Sequence, residues 1–378
     1  MITLTDTLTA SRQALPDGPI RIYVCGITPY DTTHLGHAFT FLQFDVLVRA
    51  LRWMGREVRY VQNVTDVDDS LLKRARELGA DWKALGDRYT ARYLRDMDAL
   101  GVAPPDHLVP ATSVIPTIQG ITADLLSEGS AYQVERGDVF FHVGSNPHYG
   151  ELSRLPRDPM LEICAGQDDA DLDDPRKHDP LDVVLWRRWS GAADEPFWES
   201  PWGPGRPGWH VECVAINHAY HGPRVTIHGG GDDLIYPHHE TEIAISECAT
   251  GERPFAQLWV HTAMASLGGE KMSKSLGNLV FVDDLLTRFP AGAIRLYLLS
   301  HHRRHAFEWS EDRLAEGVDR LERLRAAAGE PDRDGDAHGA FRAALEDDMN
   351  TEAAVAALDH ARGATLRELA GVLGLRLG

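Results

Sequence analysis

The sequence predicts an α/β nucleotide-binding fold whose sheet is built in two halves separated by an insertion. Three stretches carry this expectation. Residues 20–24 form an apolar strand-like run that ends at Cys25-Gly26; a loop with Pro29 follows, and His34-Leu35-Gly36-His37 opens an apolar-periodic segment through Phe44, Leu47 and Leu51. Far downstream, residues 225–227 form a short strand that leads into Gly229-Gly230-Gly231-Asp232-Asp233. Between the two, residues from about 111 to 201 change in composition, as a block inserted into such a sheet would.

The first junction is the start of a nucleotide-binding unit. A helix amino end presents unpaired backbone N–H groups and the positive end of the helix dipole, which suits phosphate. His34 and His37, with Gly36 between them, can hydrogen-bond phosphate oxygens while the chain passes close to a nucleotide. Taken alone, the pair reads more readily as surface histidines at a helix start.

Residues 57–64 read as a second, buried and parallel strand, ending in Thr65-Asp66-Val67-Asp68-Asp69, where open α/β sheets place ligands. Asp68 and Asp69 serve either a ligand or the cap of the helical stretch that runs to about residue 100. In the insertion, residues 114–126 suggest a helix and residues 131–143 a hairpin around Arg136-Gly137; residues 167–174 are an acidic, solvated loop.

The theme returns after Pro201. Residues 209–218 are helical in pattern, and the three glycines at 229–231 read as a tight turn that lets backbone approach a flat ligand, with aspartates for ribose hydroxyls. Pro237 opens another helix in which His238 and Glu242, four apart, share a face. With Cys25 and Cys213 they form a possible Cys₂HisGlu zinc set, although spacing alone favours the commoner helical His–Glu ion pair. Lys271 and Lys274, in a loop flanked by Gly268-Gly269 and Gly277, can follow charge developing on a triphosphate.

Composition sets the outer bounds. At 378 residues, 43% hydrophobic and 25% charged, the chain has room for two or more domains with a full core. It has no run of about 18 apolar residues, and its first residues lack the basic and apolar regions of a signal peptide, so a cytoplasmic protein without membrane association is expected. The net charge of −19 opposes a large phosphate-backbone partner unless a local patch compensates. Cys25, Cys164, Cys213 and Cys248 are too scattered for a disulfide framework; Cys164 is expected partly exposed and Cys248 a small buried helix thiol.

HLGH near the start and KMSKS downstream resemble the paired motifs of class I aminoacyl-tRNA synthetases. YVCGITPYD, NVTDVDD, GRPGWHVEC, IHGGGDDLIYPHHETE and KMSKSLGN, in that order over about residues 20–350, resemble more closely the cysteine-activating branch. Members of that branch join cysteine to tRNA, or to the amine of glucosaminyl-inositol in mycothiol biosynthesis. The resemblance implies a doubly wound parallel sheet split by an insertion and followed by an α-helical C-terminal region. It divides the chain into residues 1–110 and 205–280 as the catalytic halves, 111–204 as the insertion, 281–330 as a stem-contact-like region and 331–378 as a truncated helical end.

By the same resemblance, Cys25, Cys213, His238 and Glu242 match zinc ligands, and Thr65 and Trp209 match residues around the bound cysteine. His34, His37, Lys271 and Lys274 match the catalytic motifs; Gly26, Thr28, Gly36, Gly229, Gly230, Gly231 and Asp233 match the nucleotide site. The implied chemistry is activation of L-cysteine by Mg·ATP to cysteinyl-adenylate, with zinc selecting thiol over hydroxyl. For the second step the few residues after KMSKS, the wording of residues 26–37 and the −19 charge favour glucosaminyl-inositol over tRNA, with Asp31 or Asp66 taking the amine proton. Glu242, Leu276 and Asn278 read like the tRNA branch. An inactive synthetase-like regulator is the third reading, and the chain is expected to be a monomer or homodimer.

Overall fold

The computed structural model describes residues 2–134, 137–167, 171–272 and 276–377. Strands β1 (Thr3–Asp6) and β2 (Ser11–Ala14) form a hairpin ahead of the first sheet strand, β3 (Ile20–Ile27). β3 runs further than the apolar run predicted and carries Cys25 and Gly26 inside it. Its pairing with β4 (Val58–Val64) slips between Val24 and Ile27, and a Cβ on Gly26 would lie 1.8 Å from the Asn63 carbonyl oxygen. Only glycine fits there, and the irregularity re-aims the residues beside it.

Between these strands runs α1 (Leu35–Trp53), buried along nearly all its faces, as a helix packed by protein on both sides must be. The helical stretch expected after Asp68 is two helices, α2 (Asp69–Leu78) and α3 (Trp82–Ala99), broken by the left-handed Gly79 and restarted by the Asp81 cap. Asp68 caps α2 by accepting from Ser70 N and Leu71 N. β5 (His107–Pro110) then completes this half.

The inserted block holds α4 (Ile115–Ser127), the hairpin β6 (Ala131–Gln133) and β7 (Val139–Phe141), α5 (Arg157–Ala165), β8 (Val183–Arg188) and β9 (Gly205–Pro207). Its four strands form one antiparallel sheet in the order β6-β7-β8-β9. Arg136, expected at the hairpin tip, lies outside the described residues. Cys164 is buried rather than partly exposed, with its sulfur 3.4 Å from the Tyr236 hydroxyl, because α5 packs against the second half.

The second half contributes α6 (Trp209–His221), β10 (Val225–Gly231), α7 (Glu240–Thr250) and β11 (Ala256–Thr262), followed by the small hairpin β12 (Ala265–Leu267) and β13 (Glu270–Lys271). The glycines at 229–231 are not a turn: they are the end of β10. A Cβ on Gly229 would meet Phe44 of α1 at 2.2 Å, and one on Gly230 would meet Leu234 at 2.9 Å, so these glycines serve close packing of strand on neighbours.

The main sheet is wholly parallel in the order β11-β10-β3-β4-β5. The chain moves outward from β3 through β5, then restarts at β10 on the other side of β3. This reversal opens a crevice at the carboxyl ends of β3 and β10, the place where open α/β sheets bind ligands.

The remaining elements are α8 (Val282–Arg288), α9 (Ala291–Leu299), β14 (Phe307–Glu308), α10 (Glu311–Ala328), α11 (Ala337–Glu346), α12 (Thr351–Ala357) and α13 (Gly363–Val372). They share the hydrophobic core of α1. The buried guanidinium of Arg295 ties Asp45 of α1 to the carbonyls of Leu100 and Leu373. Asp348 binds Arg303, Arg304 and both the amide and hydroxyl of Thr5 in β1. No helix among the described residues is long and apolar enough to cross a membrane.

Candidate active site

The crevice between β3 and β10 is a cleft of about 340 Å³. One wall is the amino end of α1. His34 is its N-cap, with Nδ1 accepting from the His37 amide at 3.4 Å, and the two imidazoles stack with centroids 3.7 Å apart. Both rings line the cleft, together with Gly26, Thr28 and Gly36. This wall therefore joins backbone donors, the positive helix end and two imidazoles.

The floor is a cluster of soft and hard donors. Cys25 arrives from β3 and Cys213 from α6, one helical turn beyond Trp209. His238 arrives from the helical turn Ile235–His239 that leads into α7, and Glu242 from the first turn of α7 itself. One ligand atom from each of Cys25, Cys213, His238 and Glu242 lies within 4.8 Å of every other, and all four residues are buried. His238 Nε2 is 2.8 Å from Glu242 Oε1, and the Cys25 thiol donates to that oxygen at 3.3 Å. The Trp209 indole stacks on the His238 ring at 4.2 Å, and His210 Nδ1 sits 2.9 Å from His238 Nδ1, which fixes the ring with Nε2 toward the cluster.

Burial pushes the Glu242 carboxyl far above its ordinary range, and burial with Cys213 and Glu242 does the same to Cys25. Burial also opposes ionisation of Cys213, but the Cys25 hydrogen bond and His238 prevail and bring it down to about 7. Crowded donors of this kind, with Cys25 and Glu242 disfavoured by burial in their ionised forms, fit a divalent cation, which supplies the charge that those forms need. A second overlapping quartet, Cys25, His228, His239 and Glu242, meets the same distance criterion. The first set is the better centre for a substrate, because Cys25, Cys213 and His238 line the cleft, whereas His228 and His239 pack behind it on Trp259.

Thr65, at the end of β4, accepts from Asn63 Nδ2 at 3.0 Å and closes the cleft beside Trp209. Gly231, Asp233 and Lys271 line the same cleft. Lys274 lies outside the described residues. Of the residues matched to the nucleotide, Gly229 and Gly230 do not line the cleft; they lie beneath it, against Phe44, Leu234 and His239. Neither Asp31 nor Asp66 lines it either. Asp66 turns instead to Thr112, accepting from its amide at 2.9 Å and its hydroxyl at 2.5 Å.

The layer behind the cluster escaped sequence reasoning. His239 Nε2 lies 3.3 Å from Cys25 Sγ, while its Nδ1 lies 2.8 Å from His261 Nε2, whose Nδ1 meets the Thr7 hydroxyl at 2.7 Å. His228 Nε2 is 3.2 Å from Glu242 Oε2. The signal was adjacency: His228 precedes the three glycines and His239 follows His238.

Residues 11–319 match the family described as tRNA synthetases class I (C) catalytic domain. The L-cysteine:1D-myo-inositol 2-amino-2-deoxy-alpha-D-glucopyranoside ligase of Frankia casuarinae is 48% identical, over 99% of this chain and 80% of its own length. The ligase of that name from Streptomyces griseus is 46% identical, over 98% and 90%. The cysteine–tRNA ligase of Halorhodospira halophila is 44% identical, over 99% and 85%. Among solved structures, Mycobacterium tuberculosis methionyl-tRNA synthetase in complex with methionyl-adenylate superposes with a TM-score of 0.64 at 17% identity, covering 90% of this chain and 81% of that one. The last likeness is one of fold.

Proposed function

The chain belongs to the class I cysteine-type tRNA synthetase family, and from that premise we propose that it is an ATP-dependent ligase of the cytoplasm that activates L-cysteine and transfers it to the amine of glucosaminyl-inositol. The observation that carries this reading is the convergence of Cys25, Cys213, His238, Thr65, Trp209, His34, His37 and Lys271 on one cleft, in a chain whose relatives include several ligases of that acceptor at 46–48% identity.

In the first step the cysteine carboxylate attacks the α-phosphorus of Mg·ATP. A new O–P bond forms, the bond to the β-phosphate oxygen breaks, and pyrophosphate leaves. Our reading assigns no protein nucleophile to the step. His34, His37 and the α1 amino end hold phosphate oxygens, while Lys271 and Lys274 neutralise the charge gathering on the leaving group. Thr65 and the Trp209 indole bound the cysteine. Asp233, with Gly231, faces the nucleoside.

Cys25, Cys213, His238 and Glu242 would hold Zn²⁺. Bound there, it supplies a soft Lewis acid that takes a thiolate and leaves a serine hydroxyl unselected, a discrimination that a plain pocket makes poorly. In the second step the neutral amine attacks the adenylate carbonyl carbon and an amide C–N bond forms; the bond from that carbon to the bridging oxygen breaks, AMP departs with that oxygen, and the amine proton passes to solvent.

The second reading, transfer to tRNA, is supported by the tRNA ligase at 44% identity and by Glu242 beside the other three donors. A product assay separates the two. Protein, Mg·ATP and cysteine are supplied with glucosaminyl-inositol or with cysteine-accepting tRNA, and products are read by mass spectrometry. The amide with no charged tRNA is the expected result, and charged tRNA alone overturns it.

A further inference from the structure

Lys271 reaches the cleft from a two-residue hairpin turn. β12 and β13 pair with Ser266 opposite Lys271 and Leu267 opposite Glu270, leaving Gly268 and Gly269 at the tip with φ of +66° and +80°. Two positive φ values in succession make a type I′ turn, which only glycine-like residues adopt without strain. A turn of this kind leaves its own amides without a partner in the hairpin.

Those amides have one across the fold. β14 runs parallel to β12, with Ser266 beside Glu308, and the Trp309 amide donates to the Ser266 carbonyl at 2.8 Å. From there the Glu308 carboxylate accepts from three donors: the Gly268 amide, the Gly269 amide at 3.3 Å and the Ser266 hydroxyl. These bonds, the one from Ser266 foremost, hold its carboxyl below the usual range. Both carboxylate oxygens are turned to the hairpin: Oε1 to the two glycine amides and Oε2 to the Ser266 hydroxyl.

We infer that Glu308 is a positioning residue: it grips the tip of the β12–β13 hairpin and so fixes Lys271 over the nucleotide side of the cleft. The chemistry asks for a carboxylate. One oxygen takes both glycine amides and the other the Ser266 hydroxyl; a glutamine keeps its carbonyl on the amides but turns its NH₂ to the hydroxyl and loses the charge that strengthens all three bonds. The side chain touches no reacting atom; it acts through Lys271. The activity arm of the test rests on the adenylation reading above, and the exchange arm does not.

The experiment uses the full chain carrying Glu308→Ala, Glu308→Gln, Lys271→Ala and the Glu308→Ala/Lys271→Ala pair. Amide hydrogen exchange over residues 266–271 is expected to quicken about tenfold in Glu308→Ala and less in Glu308→Gln, with the other strands unchanged. Cysteine-dependent ATP–pyrophosphate exchange is expected to lose about tenfold in kcat in Glu308→Ala with the KM for cysteine within about twofold, and Glu308→Gln should recover part of it. In the Lys271→Ala background the second change should cost almost nothing, because residues that act through one another are not additive. Unchanged exchange protection at 266–271, or a fully additive loss in the double variant, overturns the inference. If the parent protein shows no cysteine-dependent exchange, the adenylation reading fails, and hydrogen exchange alone decides for or against Glu308.

Discussion

His34 and Phe281 face each other across an antiparallel bridge, flanked by hydrogen bonds from the Leu35 amide to the Val280 carbonyl at 2.8 Å and from the Val282 amide to the Thr33 carbonyl at 3.1 Å. The far end of the segment that follows Lys271 is thereby joined to the phosphate-binding end of α1. The two motifs share one backbone frame.

Val282→Pro tests that frame. Position 282 is the first residue of α8 and Phe281 is already extended, so proline suits the local backbone while removing the amide that bonds Thr33; the Val282 side chain is buried, so a denaturant titration of the variant accounts for the lost packing. The expected result is a KM for ATP raised by about threefold to tenfold in pyrophosphate exchange, at about 1 kcal/mol of lost interaction, with cysteine binding unchanged. An unaltered KM for ATP would show that the bridge is dispensable.

Cys213→Ser should release zinc from the purified protein, as measured by elemental analysis. The parent is expected to carry about one ion per chain, and the serine variant a small fraction of it, because a hydroxyl replaces the soft thiolate donor. Equal metal in both proteins would rule out Cys213 as a ligand.

Gly229→Ala separates packing from ligand binding. The added methyl meets the Phe44 ring at 2.2 Å and the Val260 carbonyl at 2.9 Å, so the fold should lose about 1–3 kcal/mol in denaturant titration. The folded variant should keep its KM for ATP. A raised KM with unchanged stability would return Gly229 to the nucleotide site.

The Asp348–Arg303 pair makes stability depend on acid. Burial raises the Asp348 carboxyl, but Arg303 and Thr5 outweigh it and bring it down to about 2. A folded-state pKa below the unfolded one adds stability that is complete above about pH 4 and is lost as the pH falls toward 2, at about 2 kcal/mol. Asp348→Asn tolerates the left-handed backbone here, φ +57°, and removes the charge together with one of the two acceptor oxygens. Urea titrations should show the parent losing this increment across that window and the variant lacking it throughout. Parallel pH profiles would sink the claim.

The strands β3 and β4 were legible because each is an apolar run ending in polar residues, and the start of α1 because His34 precedes a periodic segment. The break at Gly79 had a visible cause, glycine followed by an aspartate cap, yet the amphipathic pattern on either side masked it. The glycines at 229–231 were misread since propensity disfavours glycine in strands, and the reason for them, the Phe44 ring pressing on β10, lies almost 190 residues away in sequence. The meeting of Cys25 with Cys213 follows from the closure of two half-sheets, which spacing alone does not encode. The resemblance supplied that pairing; local pattern did not.

Asp348 takes hold of Thr5 across 343 residues of chain. On a ribosome adding about 5–20 residues per second, the β1 hairpin therefore waits roughly 20 to 70 s for its partner. Through that interval the nascent protein depends on whatever shields the unfinished face of α1. A chain that ended upstream of Asp348 would keep the β1–β2 pairing but lack the carboxylate that ties Thr5 to Arg303 and Arg304.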